Sequence, residues 1–506
     1  MAFLNKTLAL TYKESGEWQL ALDKDRVLFG TGFGKLLTYI QNNLTCKGHC
    51  VIWNYHLSEM CVWAGEERFT EIQRNTKNQF KVMYANIGEN ITFKNTFAFY
   101  NEMSLKEIAK QKYINSANEL SITWNAAESE RLRNKGYVSK IPTTTTGYIG
   151  REIGALKPEK DFYRLGLSIT EETYELIKDC SAGGLSGIDM SKRDLPVQVN
   201  CYDFKSFYPW IMVSQVFPYY YYRLRKNVSK QDFMRWIKDS PLWIARIEFK
   251  YITPKAGQKD WLKMTCIYGE HTITNLDFEI LKGSYNFKIA EVKEMIPFYN
   301  PQPLPDKLKN YIFEKFRIKE TYPKDTEEYI QAKETLNSIY GLFNQDRKKY
   351  NKPIDDRSAK QRPLVIGRFV SAYGRYFLWS IMKNSNPVHW DTDGFKTEEV
   401  LDITEYNQKR KIKDSMLGQL MLEEQFAEVK VFGNKQYLLN NKLKLSGTDG
   451  ALAMEYCNKI GETPHCGLTI PPEYSSQIKR SGRKILRLQY TIGKDDLIDR
   501  LQRNNV

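Results

Sequence analysis

The chain has no uninterrupted apolar run approaching the roughly 18–20 residues that span a bilayer. Its best stretch, residues 365–382, is broken by Arg368 and Arg375. The opening residues, MAFLNKTLALTYKESG, have neither the long apolar core nor the small-residue cleavage site of a signal peptide. These absences argue against a secreted or membrane protein and against a membrane partner. Cysteine is sparse and scattered, 8 in 506 residues, which suits a reducing compartment. One local cluster, Cys46, His49, Cys50, His56 and Cys61, has no second pair at metal-like spacing. It therefore reads as core and surface residues rather than a zinc site. Internal repeats and low-complexity tracts are also missing.

What is present is positive charge and aromatic surface. Lys plus Arg is 75 against 60 Asp plus Glu, a formal net charge of +15. Aromatics make up 13% of the residues, with 32 Tyr, and hydrophobic residues 42%, enough for buried cores. A single core stops growing at about 250–300 residues, so two or more core units are expected. Lys and Arg neutralise phosphates and aromatic rings stack on bases, so the balance favours a polyanion such as nucleic acid.

Along the chain, residues 1–120 read as mixed helix and strand, with a helix at 36–44, a strand at 50–53 and a helix at 104–113. The Thr-rich PTTTTGYIG at 142–150 is the best domain boundary. Residues 176–189 carry Gly183, Gly184 and Gly187 and lead into an alternating strand at 197–204, with Pro209 marking the far end of that unit. Residues 310–343 read as two helices joined by TYPKDTEE, and Ala332, Leu336, Ile339 and Phe343 form the apolar face of the second. A polar loop follows to 363, then a long buried helix at 367–382 and a hairpin at 388–398 turning at Thr392–Gly394. The tail, 477–492, is basic (Lys479, Arg480, Arg483, Lys484, Arg487) with Leu486, Leu488, Tyr490 and Ile492 in strand alternation. Such a tail is either a solvated charged face or a nucleic-acid contact.

Three segments carry chemistry together: CYDFKSFYP with Asp203 at a strand end, KETLNSIYG on a helix, and HWDTDG with Asp391 and Asp393 around a tight turn. Residues two apart in a strand point to one face, so Asp391 and Asp393 are able to present paired carboxylates that Asp203 could join. Hard oxygen ligands suit Mg²⁺, and two such ions about 3.5–4 Å apart serve an in-line phosphoryl or nucleotidyl transfer. On the helix, Lys333, Asn337, Tyr340 and Gly341 share a face displaced from the apolar one, offering a cation, a flat ring and a close approach.

At these residues the chain resembles a family B DNA polymerase. Asp203, Ser206, Phe207, Tyr208 and Pro209 match that family's Asp-x-x-Ser-Leu-Tyr-Pro, with Phe207 in place of Leu. Lys333, Asn337, Ser338, Tyr340 and Gly341 match Lys-x-x-x-Asn-Ser-x-Tyr-Gly. Asp391, Thr392 and Asp393 match Asp-Thr-Asp, followed here by Gly394 rather than Ser, and Lys435 and Tyr437 match Lys-x-Tyr. The compact size, GRFVSAYGRY at 367–376 and RIKET at 317–321 are similar to the protein-primed branch of bacteriophages and linear plasmids. The segment between Asp203 and Lys333 leaves room for that branch's insertion that meets terminal protein.

The resemblance implies a mixed α+β fold, a right-hand polymerase palm-fingers-thumb with an N-terminal degenerate exonuclease-like (RNase H-like) α/β domain. The expected domains are 1–145 exonuclease-like, 146–195 junction and 196–506 polymerase. Within the last, the palm is 196–309 (with the insertion) and 364–438, the fingers 310–363 and the thumb 439–506. It implies two Mg²⁺ ions, with Mn²⁺ able to substitute, on Asp203, Asp393 and the Phe204 carbonyl, with Asp391 supporting the site. Lys319 and Lys333 are implied to bind the triphosphate, and Asn337 to lie at the nucleotide. Tyr208 is implied to block a ribose 2′-hydroxyl, and Tyr340 to pack at the nascent base pair. Lys435 and Tyr437 are implied to hold the primer strand, with Ser338, Gly341, Thr392, Gly183 and Gly184 on the DNA side. The implied partners are primer-template DNA, deoxynucleotides and a terminal protein, for a monomer working in a host cytoplasm.

The N-terminal third departs from the pattern. An exonuclease needs Asp-x-Glu on its first strand, and residues 1–50 offer only Asp23 and Asp25 without the Glu. In NYHLSE, Ser58 takes the place of the second motif's Asp, with Glu59 one residue on, and residues 121–140 contain no Asp. The family's Tyr-x-Gly-Gly linker becomes Ser181, Ala182, Gly183, Gly184. Only a short stretch separates Phe343 from Gly367, where the branch often has a second insertion. The expectation is a polymerase without proofreading. Two alternatives stand beside it: a DNA-primed or self-priming family B enzyme, and a catalytically inactive DNA-binding replication scaffold.

Overall fold

The computed structural model describes residues 6–22, 26–44, 50–74, 82–96, 119–120, 122–124, 127, 149–150, 152–153, 170–181, 183–218, 223–324, 326–345, 364–409, 415–445, 450–470, 479–480, 483–484 and 491–492. The chain divides into two compact units. The first is Met1–Ala155 with Arg317–Thr335, and the second is Leu156–Phe316 with Leu336–Val506.

The first unit is built on a mixed seven-stranded sheet. Its strands are β1 (Lys6–Tyr12), β2 (Glu17–Ala21), β3 (Val27–Thr31), β4 (Cys50–Asn54), β5 (Glu71–Arg74), β6 (Val82–Ile87) and β7 (Ile91–Asn95). Their order is β3-β2-β1-β4-β7-β6-β5, and β4 pairs in parallel with both β1 and β7. Every residue of β4 is buried, as a central parallel strand requires. The Phe33–Asn43 helix turns Phe33, Leu36 and Ile40 onto the sheet, close to the expected 36–44. Cys50 and Cys61 are fully buried members of this core. Cys46 and His49 lie outside the described residues, as do the expected helix at 104–113, most of the boundary at 142–150, the loop at 346–363 and most of the basic tail.

The second unit is centred on another seven-stranded sheet, of order β20-β19-β18-β9-β17-β16-β8. Its first two strands are β8 (Ser186–Ile188) and β9 (Pro196–Phe204). A pair of short strands, β10 (Val216–Phe217) and β15 (Gln302–Pro303), flanks an inserted sheet of β11 (Arg225–Val228), β12 (Leu242–Pro254), β13 (Cys266–Thr274) and β14 (Tyr285–Phe298), in the order β11-β14-β12-β13. The central sheet is completed by β16 (Pro387–Asp391), β17 (Gly394–Thr397), β18 (Leu420–Gly433), β19 (Gln436–Leu439) and β20 (Lys442–Leu445). The strand read at 197–204 and the hairpin at 388–398 are thus β9 and β16–β17, neighbours in one sheet.

The span 146–195 contains the Glu171–Asp179 helix and β8, which pairs with β16. Three residues, Ser-Gly-Ile, carry no strand signal of their own; the sheet edge recruits them through backbone hydrogen bonds. Pro209 does not end its segment. It sits in the first turn of the Phe207–Ser214 helix, where a missing N–H costs nothing.

The Leu364–Met382 helix is buried along nearly all its length, and both arginines that break its apolar run are inside. Arg368 donates to the Ile177 and Lys178 carbonyls at 3.2 and 3.0 Å, satisfying the last turn of the Glu171–Asp179 helix. Arg375 donates Nε and Nη2 to Asp277 Oδ1 and Oδ2 at 2.7 and 2.9 Å, and Nη1 to the Gly183 carbonyl at 2.6 Å. Among the described residues, no helix is long and apolar enough to cross a membrane.

Candidate active site

The acidic residues meet because β9 lies between β17 and β18. Asp203 pairs across the sheet with Gly394 on one side and Met421 on the other. Asp391 ends β16, and the turn to β17 is Thr392–Asp393, with Thr392 in the left-handed region at φ 62°. A β-branched residue there is strained and must be held. Three backbone bonds hold it: Thr392 N–H to the Leu185 carbonyl at 2.7 Å, Asp393 N–H to the Asp391 carbonyl at 2.7 Å, and Phe204 N–H to the Asp393 carbonyl at 3.0 Å. The last ties the Asp203 strand end directly to the acidic turn. Gly394 lies close against this strand end: a Cβ there would lie 2.7 Å from Asp203 Oδ1 and 3.0 Å from the Tyr202 carbonyl.

The electrostatics follow from this crowding. Burial, and then the neighbouring Asp391 charge, push the Asp393 carboxyl up to about 6. Asp391 is compensated instead: Lys435 Nζ lies 3.0 Å from its Oδ1, and Thr392 Oγ1 donates to the same oxygen at 2.9 Å. Among the described residues, no three His, Cys, Asp or Glu side chains are gathered into a preformed metal cage. The donors nevertheless suit a hard cation: they are carboxylate oxygens, of which those of Asp391 and Asp393 repel one another.

Tyr208 stands beside the turn on the Phe207–Ser214 helix, which begins at Ser206 in the left-handed region (φ 51°). Its ring is 7% exposed and lies 4.2 Å from the Tyr340 ring. Its hydroxyl is buried with no hydrogen-bond partner among the described residues, and burial raises its pKa. Tyr340 comes from the Glu327–Phe343 helix, whose Ala332, Leu336, Ile339 and Phe343 are buried as expected, while Lys333 and Asn337 are exposed. Ser338 and Gly341 are partly exposed on the same helix, and a Cβ on Gly341 would meet nothing. Lys319 lies in the last turn of the Asp306–Thr321 helix. Lys319 and Lys333 both belong to the part of these helices that groups with the first unit, whereas Asp203, Tyr208, Tyr340, Asp391, Asp393 and Lys435 belong to the second.

Lys435, itself at φ 62°, turns β18 into β19, and Tyr437 follows on β19. The Tyr437 ring packs on His389 at 4.7 Å and under Lys396 Nζ at 4.4 Å. His389 and Lys396 are cross-strand partners on β16 and β17. Burial, then the Lys396 and Lys435 charges, hold the His389 pKa well below the usual imidazole range. Gly184 is required for packing within the chain: a Cβ there would lie 2.7 Å from Tyr208 Oη and 3.1 Å from Thr392 Cα. Gly183 contributes its carbonyl to Arg375. Sequence reasoning missed His389, Lys396, Asp277 and the role of Arg375. The one available signal was the pair of arginines seven residues apart in an otherwise apolar helix.

In the first unit, Ser58 Oγ accepts from the Val82 N–H at 2.9 Å and Asn54 Nδ2 donates to the Leu10 carbonyl at 2.9 Å, so both serve the fold. Ala9 of β1 packs with Ala21 and Leu120 in a small apolar cluster. Asp23 and Asp25 lie outside the described residues. Glu119, missed in the sequence, faces His56 at 3.7 Å, and burial plus Glu59 push it up to about 7.

Among solved structures, the chain is similar to phi29 DNA polymerase complexed with primer-template DNA and incoming nucleotide substrates. The TM-score is 0.70 at 15% identity, over 96% of this chain and 99% of that one. It is similar to phi29 DNA polymerase complexed with single-stranded DNA at TM-score 0.69 and 14% identity, over 96% and 100%. Among curated proteins, a stretch of 232 residues is 26% identical to a protein of Ascobolus immersus named as a probable DNA polymerase, covering 38% of this chain and 17% of that protein. No family model matches the chain. The fold is that of the phi29 polymerase over nearly the full length of both chains, mixed α+β with palm, fingers and thumb and an N-terminal α/β domain, as the motifs led one to expect.

Proposed function

We propose that this chain is a template-directed DNA polymerase of the family B type, protein-primed and without proofreading. The observation that carries the proposal is the backbone tie between Asp203–Phe204 and the Asp391–Asp393 turn, in a chain whose fold is that of phi29 polymerase. A primer hydroxyl attacks the α-phosphorus of a bound deoxynucleotide and pyrophosphate leaves.

Asp203 and Asp393, with the Phe204 carbonyl, would hold two Mg²⁺ ions, and Mn²⁺ would fit the same oxygen donors. The chemistry such ions would supply is easier ionisation of the attacking hydroxyl and neutralised charge on the leaving pyrophosphate. Lys319 and Lys333 bind the triphosphate, and Asn337 lies at the nucleotide. Tyr208 walls off a ribose 2′-hydroxyl, and Tyr340, packed against its ring, lies at the nascent base pair. Lys435 and Tyr437 hold the primer strand, with Tyr437 kept rigid between His389 and Lys396. Thr392, Gly183, Gly184, Ser338 and Gly341 line the DNA side.

The inserted sheet β11–β14 is the surface for a terminal protein whose side-chain hydroxyl serves as first primer. Trp261, in the β12–β13 connection, packs 5.0 Å from Trp390 beside Asp391, and Lys259 pairs with Asp189 at 2.6 Å. Those contacts link the insertion to the acidic turn. The apolar Ala9–Leu120 cluster on the first strand supports the loss of exonuclease chemistry, since a two-metal site needs carboxylates there. The protein works as a monomer in the cytoplasm of a virus host.

The test is Asp203→Ala assayed for synthesis and for primer-template binding. Synthesis lost with binding kept supports the enzyme. Unchanged synthesis would refute the assignment, and binding without synthesis in the unaltered protein favours a scaffold.

A further inference from the structure

Tyr208 sits in a cradle made by two missing side chains. Gly374 lies in the interior of the Leu364–Met382 helix, where glycine is a poor helix former. A Cβ on Gly374 would lie 2.8 Å from Tyr208 Cε1 and 3.4 Å from Phe207 Cε1. On the hydroxyl side, a Cβ on Gly184 would lie 2.7 Å from Tyr208 Oη. Tyr340 covers the ring at 4.2 Å and Phe207 packs beside it at 5.8 Å. The ring thus has no slack toward either glycine.

We propose that Gly374 is a specificity-determining position for the sugar of the incoming nucleotide, acting through Tyr208: the absent Cβ lets the ring lie back far enough to admit a deoxyribose. This rests on Tyr208 being the residue that meets the sugar. A methyl at 374 cannot be absorbed by sliding the ring along its own axis, because the hydroxyl end is buried against Gly184. The ring tilts instead, and its edge enters the space the sugar takes. Gly184 is the less selective lever, since a Cβ there also meets Thr392 Cα at 3.1 Å and disturbs the acidic turn itself.

The experiment is a double-mutant cycle on the full chain, with Gly374→Ala, Tyr208→Val and the pair, measuring kcat and KM for one deoxynucleotide and its ribonucleotide. Relieving a 2.8 Å contact to an ordinary one moves the ring by about 0.6 Å. Since ~1 Å of misplacement costs about 10²-fold, Gly374→Ala should lower kcat/KM for the deoxynucleotide about tenfold, chiefly through KM. In the Tyr208→Val background the same substitution should change it by less than about twofold, because the ring it acts on is gone. Equal losses in both backgrounds, or no loss in the first, overturn the proposal. If Tyr208→Val leaves ribonucleotide discrimination unchanged, it is the sugar-facing role of Tyr208 that fails, and the proposal with it. Should Gly374→Ala not fold, the double variant decides. Restored folding identifies the ring as the obstacle, and persistent misfolding overturns it.

Discussion

Removing the Asp277 carboxylate should destabilise the second unit more than any surface change of equal size. Asp277 and Arg375 have side chains only 6% and 4% exposed. Burial works against the Arg375 charge, but Asp277 outweighs it and keeps the guanidinium protonated. Asp277→Ala strands that cation, a loss of about 3–5 kcal/mol for a broken buried pair. The same carboxylate closes the capping box of the Asn275–Ser284 helix, accepting from Thr274 N–H at 3.2 Å and Thr274 Oγ1 at 2.9 Å. Losing a cap adds about 1 kcal/mol. The sum, about 4–6 kcal/mol, is a large part of the roughly 5–15 kcal/mol that holds an ordinary domain together. Asp277→Asn, which keeps an acceptor for Thr274, should cost less. Asp277→Leu with Arg375→Met should recover much of the loss, because the charge and its counter-charge leave together. Urea unfolding, with hydrogen exchange of residues 275–284 as the local readout, measures it. A loss below about 1 kcal/mol for Asp277→Ala would show that the pair is not buried and coupled as described.

Other expectations follow from the same site. The Asp393 carboxyl, at about 6 rather than 3.8, favours the folded metal-free protein below pH 4, and this contribution is lost as pH rises through 6. The full shift corresponds to about 3 kcal/mol, and because Asp393 is exposed, solvent screens it to about 1 kcal/mol. Asp393→Asn should abolish that pH dependence in thermal melts without metal. For the unaltered protein, Mn²⁺ affinity by titration calorimetry should fall about tenfold per pH unit below 6, as the metal must displace that proton. A 5′-labelled single strand incubated with Mg²⁺ should stay full length on a gel, and shortening abolished by Glu119→Gln would mean the first unit retains hydrolytic chemistry.

The strand and hairpin that carry the acidic residues were legible because their chemistry and periodicity coincide. Asp203 ends an alternating run, and Asp391–Gly394 is a turn that only its acidic residues make unusual. The Glu327–Phe343 helix was legible from its apolar face. Contacts between distant segments were not. Nothing near Asp277 in sequence announces Arg375, and β8 is a strand only because β16 offers an edge. Gly184 was read as a place for DNA to approach; that it also packs against Tyr208 and Thr392 within the chain only three dimensions reveal. Arg368 and Arg375 looked like interruptions of an apolar helix. They are buried there because two carbonyl groups of one helix end and one carboxylate need them.

The most direct test of templated nucleotidyl transfer is single-nucleotide incorporation. The purified chain, Mg²⁺ and a labelled primer are combined with four 5′-overhang templates that differ only in the first unpaired base. Each template should select its complementary deoxynucleotide, and Asp203→Ala should incorporate none while still binding the DNA. Incorporation independent of the template base, or none with Mg²⁺ or Mn²⁺ despite tight binding, would contradict the assignment.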